Sequence, residues 1–251
     1  RSRSSRQGAL PQYSMSEFLY GINPVSEAVL AGRRRIRGVH VAEGTEKNPR
    51  MRKLVSDAKY RGIPVSWHSR AEIGEAAGTR ENQGVVAECD PFPYTPYADI
   101  LAEGGRMVLL DNIEDPRNIG AIMRTCEVLG WRTVLLPRQG TALVLPSVAK
   151  TAAGACEYLQ IAVNCSSNQY VKIALEAGYT VVALDGAGKE TLENVAKERN
   201  EKLLLVVGGE DSGVGQFIKM NATHVCAIPQ KGHVNSLNAS VAAALALYAL
   251  L

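Results

Sequence analysis

The sequence predicts a two-part α/β protein: a small mixed unit, then a larger one built on a parallel sheet. Three observations point there. Between Phe18 and Asp90, helical and strand patterns alternate over short spans. Asp90–Pro96 then places three prolines in seven residues, the composition of a semi-rigid connector. Beyond it, continuous apolar runs recur between helical stretches, as expected of strands covered on both faces. The expected division is a tail or tag remnant at 1–15, a front domain at 16–90, a linker at 91–104 and a back domain at 105–251.

The tail, RSRSSRQGALPQYS, carries three arginines and no acid. It lacks the apolar core of a secretory signal. It reads as a remnant ahead of Met15 or as the residue of an organellar transit peptide, and is expected to be disordered. In the front unit, Asn23-Pro24 looks like a helix start, with Asn as cap and Pro at the first helical position. Val25, Ala28 and Val29 continue it to Gly32. Val39–Val41 is a strand. Asn48-Pro49 opens a second helix, with Met51, Leu54, Val55 and Ala58 on one face, ending at Gly62. Pro64–Trp67 and Val85–Glu88 are further strands. In the back unit the strand candidates are Met107–Leu110, Thr133–Leu136, Thr180–Leu184, Leu203–Val207 and His224–Ile228.

Composition narrows the function. Residues 1–92 carry a net charge of +5 and residues 93–251 one of −2, so the front half is the one suited to a polyanion. The five cysteines include no C-x-x-C pair; they read as free thiols in a reducing, cytoplasmic setting. Neither cysteines nor histidines show metal-ligand spacing, and no metal is expected. No apolar run is long enough to span a membrane as a helix.

In a parallel α/β sheet, ligands bind beyond the carboxyl ends of the strands. Three stretches there hold the chain's most unusual polar residues. The first, DNIEDPRNIGAIMRT, places Asn118, Gly120 and Arg124 at a helix start, where free N–H groups suit an anion; it also reads as a capped helix with a surface arginine. The second, LLLVVGGEDSGVG, pairs Gly208 and Gly209 ahead of Glu210. It allows close main-chain approach to a ligand or is a plain strand-to-helix turn. The third, IPQKGHVNSLNASVAAALALY, runs Asn235, Ser236 and Asn238 into an apolar helix. These residues cap that helix or line a site, and the helix, apolar nearly all round, is expected to be fully buried. A P-loop is excluded, because Ala183 and Glu190 stand where Gly and Ser/Thr are required. The glycines of 208–215 have the wrong spacing for a dinucleotide fingerprint, and no G-x-S-x-G elbow is present.

Taken together, the three stretches resemble the SpoU (TrmH-like) branch of the SPOUT methyltransferases. N-x-G-x-x-x-R is Asn118–Arg124, G-x-E-x-x-G is Gly208–Gly213, and I-P-x-x-G-x-x-x-S-L-N-x-S-x-A is Ile228–Ala242. The front unit, with GINPVSEAVL, resembles the L30e-like RNA-binding domain of the subfamily acting on large-subunit ribosomal RNA. The resemblance implies a SPOUT back domain ending in a trefoil knot, an exception to the usual avoidance of knots. It also implies a homodimer formed through the knotted domain, with pockets that borrow residues across the interface, and S-adenosyl-L-methionine as cofactor. Leu184, Val207, Gly208, Gly209, Ile228, Ser236 and Leu237 would bind the cofactor. Asn118, Arg124, Glu210, Ser236 and Asn238 would form the catalytic pocket.

The implied reaction is methylation of a ribose 2′-OH in RNA, with a guanosine of ribosomal RNA as the expected target. A guanidinium keeps its proton at neutral pH, so Arg124 is expected to clamp phosphate and the developing alkoxide rather than act as base. Transfer RNA as substrate and a non-catalytic RNA-binding or assembly protein remain alternatives. In the front unit Arg33, Arg34, Arg35 and Arg37 form the densest basic cluster and are expected to contact RNA phosphates; the alternative reading is a solvated helix end.

Overall fold

The computed structural model describes residues 16–209, 213–233 and 236–251. Glu210 and Asn235, both expected near the site, and the tail expected to be disordered lie outside the described residues.

The front unit runs β1 (Glu17–Tyr20), α1 (Ile22–Ala31), β2 (Ile36–Ala42), α2 (Pro49–Tyr60), β3 (Val65–His68), α3 (Arg70–Ala77) and β4 (Val85–Cys89). Its sheet has the order β1-β4-β2-β3, with only β2 and β3 parallel. Alternation along the strands turns Leu19, Val39, Val41, Val85 and Ala87 toward Val25, Val29, Met51 and Leu54 of α1 and α2. The opposite face receives Ile73 of α3 over Ala42 and Val86. Asn48 caps α2 as expected, its side chain accepting from the Arg50 N–H at 3.0 Å. Asn23 does not cap α1. That helix starts two residues earlier, behind Gly21 at φ 94°, and the Asn23 side chain instead accepts from Arg50 of α2.

The proline-rich stretch is extended but not loose. Phe92 is buried, the Tyr94 hydroxyl accepts from the Val144 N–H at 3.0 Å, and the Thr95 N–H donates to Ile161 at 2.8 Å. The expected linker at 91–104 is also shorter than its bounds. Residues Tyr97–Glu103 form α4, which belongs with the back domain: buried Tyr97 meets Tyr170 edge to face at 4.8 Å and donates to its carbonyl at 3.1 Å.

The back domain continues with β5 (Arg106–Asp111), α5 (Pro116–Val128), β6 (Thr133–Leu135), α6 (Pro146–Thr151), β7 (Gln160–Ala162), α7 (Ser167–Glu176), β8 (Thr180–Leu184), α8 (Leu192–Lys197), β9 (Leu203–Gly208), α9 (Gln216–Asn221), β10 (His224–Cys226) and α10 (Ala239–Ala249). The six strands are all parallel, in the order β10-β8-β9-β5-β6-β7. Val108, Leu110, Leu205 and Val207 point to the layer holding α5 and α10. Met107, Leu109, Leu204 and Val206 point to the layer holding α7 and α9. Burial on both faces is why β5 and β9 read as unbroken apolar runs.

The two units dock directly. α1 and β1 pack on α6, and α1 also packs on a 3-10 turn at Ala155–Tyr158. Gly154 makes this approach possible: it has φ +87°, and an added Cβ would come within 2.6 Å of Glu27 Cβ. Among the described residues no helix is long and apolar enough to cross a membrane, no cluster of three or more His, Cys, Asp or Glu could hold a metal, and all five cysteines are free.

Candidate active site

The parallel register sets one end of the back sheet level. Cys226 pairs with Leu184, Leu184 with Val207, and Gly208 with Asp111. Four strands therefore end on one rim, and the loops leaving them build a cleft of about 650 Å³ out to its open mouth. Its walls are Leu184, Asp185 and Gly186 after β8; Val207, Gly208, Gly209 and Gly213 after β9; and Ile228, Gln230, Ser236, Leu237, Ala239 and Ala242 after β10. All seven residues singled out for cofactor contact from the sequence stand in this one cleft.

Each loop is fixed by its own chemistry. The turn after β9 closes on itself, with the Gly213 N–H donating to the Gly209 carbonyl at 2.9 Å. A Cβ at Gly208 would sit 2.1 Å from the Gly213 carbonyl carbon, so only glycine fits. Buried Asp111 fastens both ends of this turn. Its carbonyl accepts from Gly209 at 3.0 Å, and its carboxylate accepts from Gly215 at 2.9 Å. The loop after β8 wraps over β10: Asp185 N–H donates to the Cys226 carbonyl at 2.9 Å and Ala227 N–H to that of Glu190 at 3.1 Å. An added Cβ at Gly188 would collide with the β10 backbone at 2.5 Å. Asp185 is further held by Lys219 at 3.1 Å, which keeps its carboxylate at the cleft wall.

The first and third stretches meet through Asn118 and Asn238. The Asn238 amide donates to the Asn118 side-chain oxygen at 3.0 Å. The Asn238 oxygen accepts from the N–H groups of Ser240 at 3.0 Å and Val241 at 3.3 Å. Asn238 is thus both the cap of α10 and the bridge to α5. These two asparagines border the cleft beside Leu237 and Ala239 rather than line it. Arg124 lies further along α5, about 9 Å from Asn118 by helical rise. It is exposed, does not line the cleft, and has no hydrogen-bond or ion-pair partner among the described residues. Gly120 serves packing: an added Cβ would lie 2.6 Å from Thr151 Cβ and 2.8 Å from the Val148 carbonyl of α6.

Sequence reasoning missed Asp185, Gly186, Gly213, Gln230, Ala239 and Ala242 in the cleft wall, and Asp111 beneath it. Asp185 and Asp111 were findable, since each stands at the carboxyl end of a buried strand, the position where polar residues face ligands.

The front basic cluster needs correction. Arg34 is only 6% exposed. Its guanidinium pairs with buried Glu157 of the back domain and with Glu17 at 2.8 Å. Burial opposes its charge, but the hydrogen bond and charge of Glu157 prevail and hold its pKa above the ordinary guanidinium range. Arg33 is half-buried and donates to the Leu159 and Pro93 carbonyls. Both side chains lie over the Phe92 ring. The chain turns inward after Gly32, so these two arginines fasten the domains together and are not free for RNA. Arg35 and Arg37 remain exposed, Arg37 paired with Asp90 at 2.9 Å.

Comparison with known proteins bears on this geometry. Residues 105–248 match the family model described as the SpoU rRNA methylase family, and residues 18–95 match that for RNA 2′-O ribose methyltransferase substrate binding. An uncharacterized tRNA/rRNA methyltransferase of Mycobacterium avium (strain 104) is 33% identical over 252 residues, covering 98% of this chain and 81% of the relative. Among solved structures, an AdoMet-bound rRNA methyltransferase from Sinorhizobium meliloti superposes with a TM-score of 0.77 at 24% identity, over 94% of this chain and 86% of that one. A TrmH/SpoU tRNA modifying enzyme from A. aeolicus gives 0.51 at 23% identity, over 61% of this chain and 81% of that one.

Proposed function

The chain belongs to the SpoU methylase family and is an RNA 2′-O-ribose methyltransferase, and from that premise we propose that it methylates a guanosine of large-subunit ribosomal RNA, using S-adenosylmethionine. The observation that carries the reading is the convergence of the segments after β8, β9 and β10 on one cleft at the carboxyl rim of a parallel sheet, with the Asn118–Asn238 pair at its border. The cleft fits the cofactor chemically. Leu184, Val207, Ile228 and Leu237 offer apolar contact to an adenine, and Gly208 and Gly209, which have no side chains, leave main chain at the wall. Bound there, the cofactor supplies an electrophilic sulfonium methyl. A trefoil knot at the C-terminal end of the back domain, implied by the family resemblance, is part of this reading.

The protein's own residues then position the nucleophile. Asn118 and Asn238 form a fixed amide pair at the cleft border, suited to hold a ribose hydroxyl in line. Positioning of this kind removes much of the barrier of a displacement. Ser236 at the cleft wall completes the described polar set. Arg124, exposed and uncommitted to any described residue, holds the adjoining phosphate and the oxyanion as it forms. Ribosomal rather than transfer RNA is favoured by coverage. The ribosomal RNA enzyme aligns with 94% of this chain, the transfer RNA enzyme with 61%.

The test is transfer of labelled methyl from the cofactor to total ribosomal and transfer RNA, with mapping of protected 2′-O sites. Incorporation into ribosomal RNA, lowered at least about a hundredfold by Arg124→Ala, is the expected result. Labelling of transfer RNA alone would sink the substrate assignment, and near-wild-type turnover by Arg124→Ala would remove that residue from the mechanism. S-adenosylhomocysteine should raise the melting temperature.

A further inference from the structure

We propose that the front domain holds an unpaired RNA base against Trp67, in a groove between β3 and α2, with the flanking phosphates on Arg52 and Lys59. This rests on the reading of RNA as substrate and says where the RNA is gripped. The groove has a volume of about 700 Å³ out to its open mouth, and its walls include Met51, Val55, Trp67, Arg52, Lys59 and Glu46. Trp67 lies on the edge strand of the front sheet and is 39% exposed. A large aromatic ring left half-open beside apolar Val55 is a stacking surface for any base, since every base has a π face.

Charge selects the occupant. Residues 47–61 carry six cations, Lys47, Arg50, Arg52, Lys53, Lys59 and Arg61, against one acid, Asp57. Asp57 is neutralised by Lys53 at 2.7 Å. Arg50 is spent on Asn23 and Arg61 on the Leu30 carbonyl. Arg52 and Lys59 have no side-chain partner among the described residues. They stand seven residues apart on α2, two turns or about 10 Å, bracketing the groove. The acid in the wall, Glu46, is turned to the Gly44 N–H at 3.1 Å. A polyanion carrying flat rings satisfies both halves of this surface, and single-stranded RNA is that polymer. The grip thus falls on α2, whereas half-buried Arg33 and buried Arg34 of the more conspicuous basic run are engaged in the domain contact.

Tryptophan fluorescence of the full chain reads the groove, because the other tryptophan, Trp131, is 1% exposed. Titration with a short single-stranded RNA should quench the signal, and the same RNA annealed to its complement should quench it much less. Trp67→Ala should weaken binding about 5- to 150-fold, with Trp67→Phe retaining most of it. The surface pair Arg52→Ala with Lys59→Ala, which leaves the core intact, should reduce the salt slope by about 1.4, near 0.7 per lost phosphate contact. RNA bound in a gel shift by wild type and Trp67→Ala alike, without quenching, would overturn the groove and leave the methyltransferase reading standing. Polyglutamate quenching as strongly as RNA would assign the groove to an acidic protein segment and overturn it too. Failure of the wild-type chain to bind any RNA would overturn groove and substrate reading together.

Discussion

Asn238 shows how one side chain joins local structure to chemistry. As the cap of α10 it satisfies two otherwise unpaired N–H groups, a service whose loss costs about 0.5–2 kcal/mol. Through its amide it also fixes Asn118 on α5. The two duties can be separated. Serine caps as well as asparagine but is too short to reach Asn118. Asn238→Ser should melt within a few degrees of wild type yet lose about a hundredfold in methyl transfer, the scale set by an ångström-level misplacement. Asn238→Ala should lose the same activity and about 1 kcal/mol of stability as well. If Asn238→Ser turned over at the wild-type rate, the bridge would be packing and nothing more.

At the scale of elements, α10 departs from its sequence expectation in an informative way. An apolar helix was expected to be buried all round. Ala239, Ala243, Ala246 and Leu247 are buried, but Val241, Leu245 and Tyr248 are 48, 47 and 70% exposed. Their spacing of four and then three residues makes one stripe along the helix. A contiguous apolar stripe on a solvent-exposed face is the mark of an interface, and the homodimer implied by the family resemblance is the occupant proposed for it. Leu245→Glu should convert a dimer to a monomer in sedimentation without lowering the melting temperature of the monomer, since the residue supports no core. A wild-type chain that sediments as a monomer at all concentrations would end the proposal. The same element shows what a sequence hides: periodicity says a helix is apolar on two sides, not whether the second side meets its own chain or another. Longer strands were legible for the opposite reason. β5, β8 and β9 are apolar on both faces because helices cover both, and the pattern needs no partner to be read. β1, at four residues, and β7, at three, are too short to carry a period, and their pairing is set by neighbours distant in sequence. The cleft was legible because its parts sit at strand ends, while Asn118 met Asn238 only through a fold that brings together residues 120 apart.

For the whole molecule, the decisive feature is the ion pair across the domain contact. Arg34 and Glu157 are 123 residues apart, so a run of arginines facing solvent and a run whose second member meets a buried glutamate look identical in the sequence. Burial makes the two cases differ sharply in energy. Removing one partner leaves a charge stranded at 0% side-chain exposure on Glu157, a loss of about 3–5 kcal/mol. Glu17, with 28% of its side chain exposed, can be hydrated and adds little to that loss. Arg34→Ala should therefore lower stability in urea by about 3–5 kcal/mol. Arg34→Met combined with Glu157→Leu should recover most of it, because apolar replacement of a buried pair is often neutral. Both arginines also stack over Phe92 of the connector, so the contact ties together front domain, connector and back domain at one point. An RNA gripped by the front domain is then presented to the cleft at a fixed distance, and weakening that point should separate binding from turnover. In a milder variant, Arg34→Lys, which keeps the charge but loses the two-pronged geometry, RNA affinity should stay near wild type while methyl transfer falls about tenfold or more. Equal losses in both would mean that Arg34 acts on the fold of the front domain alone, and that the two domains need no fixed arrangement to react.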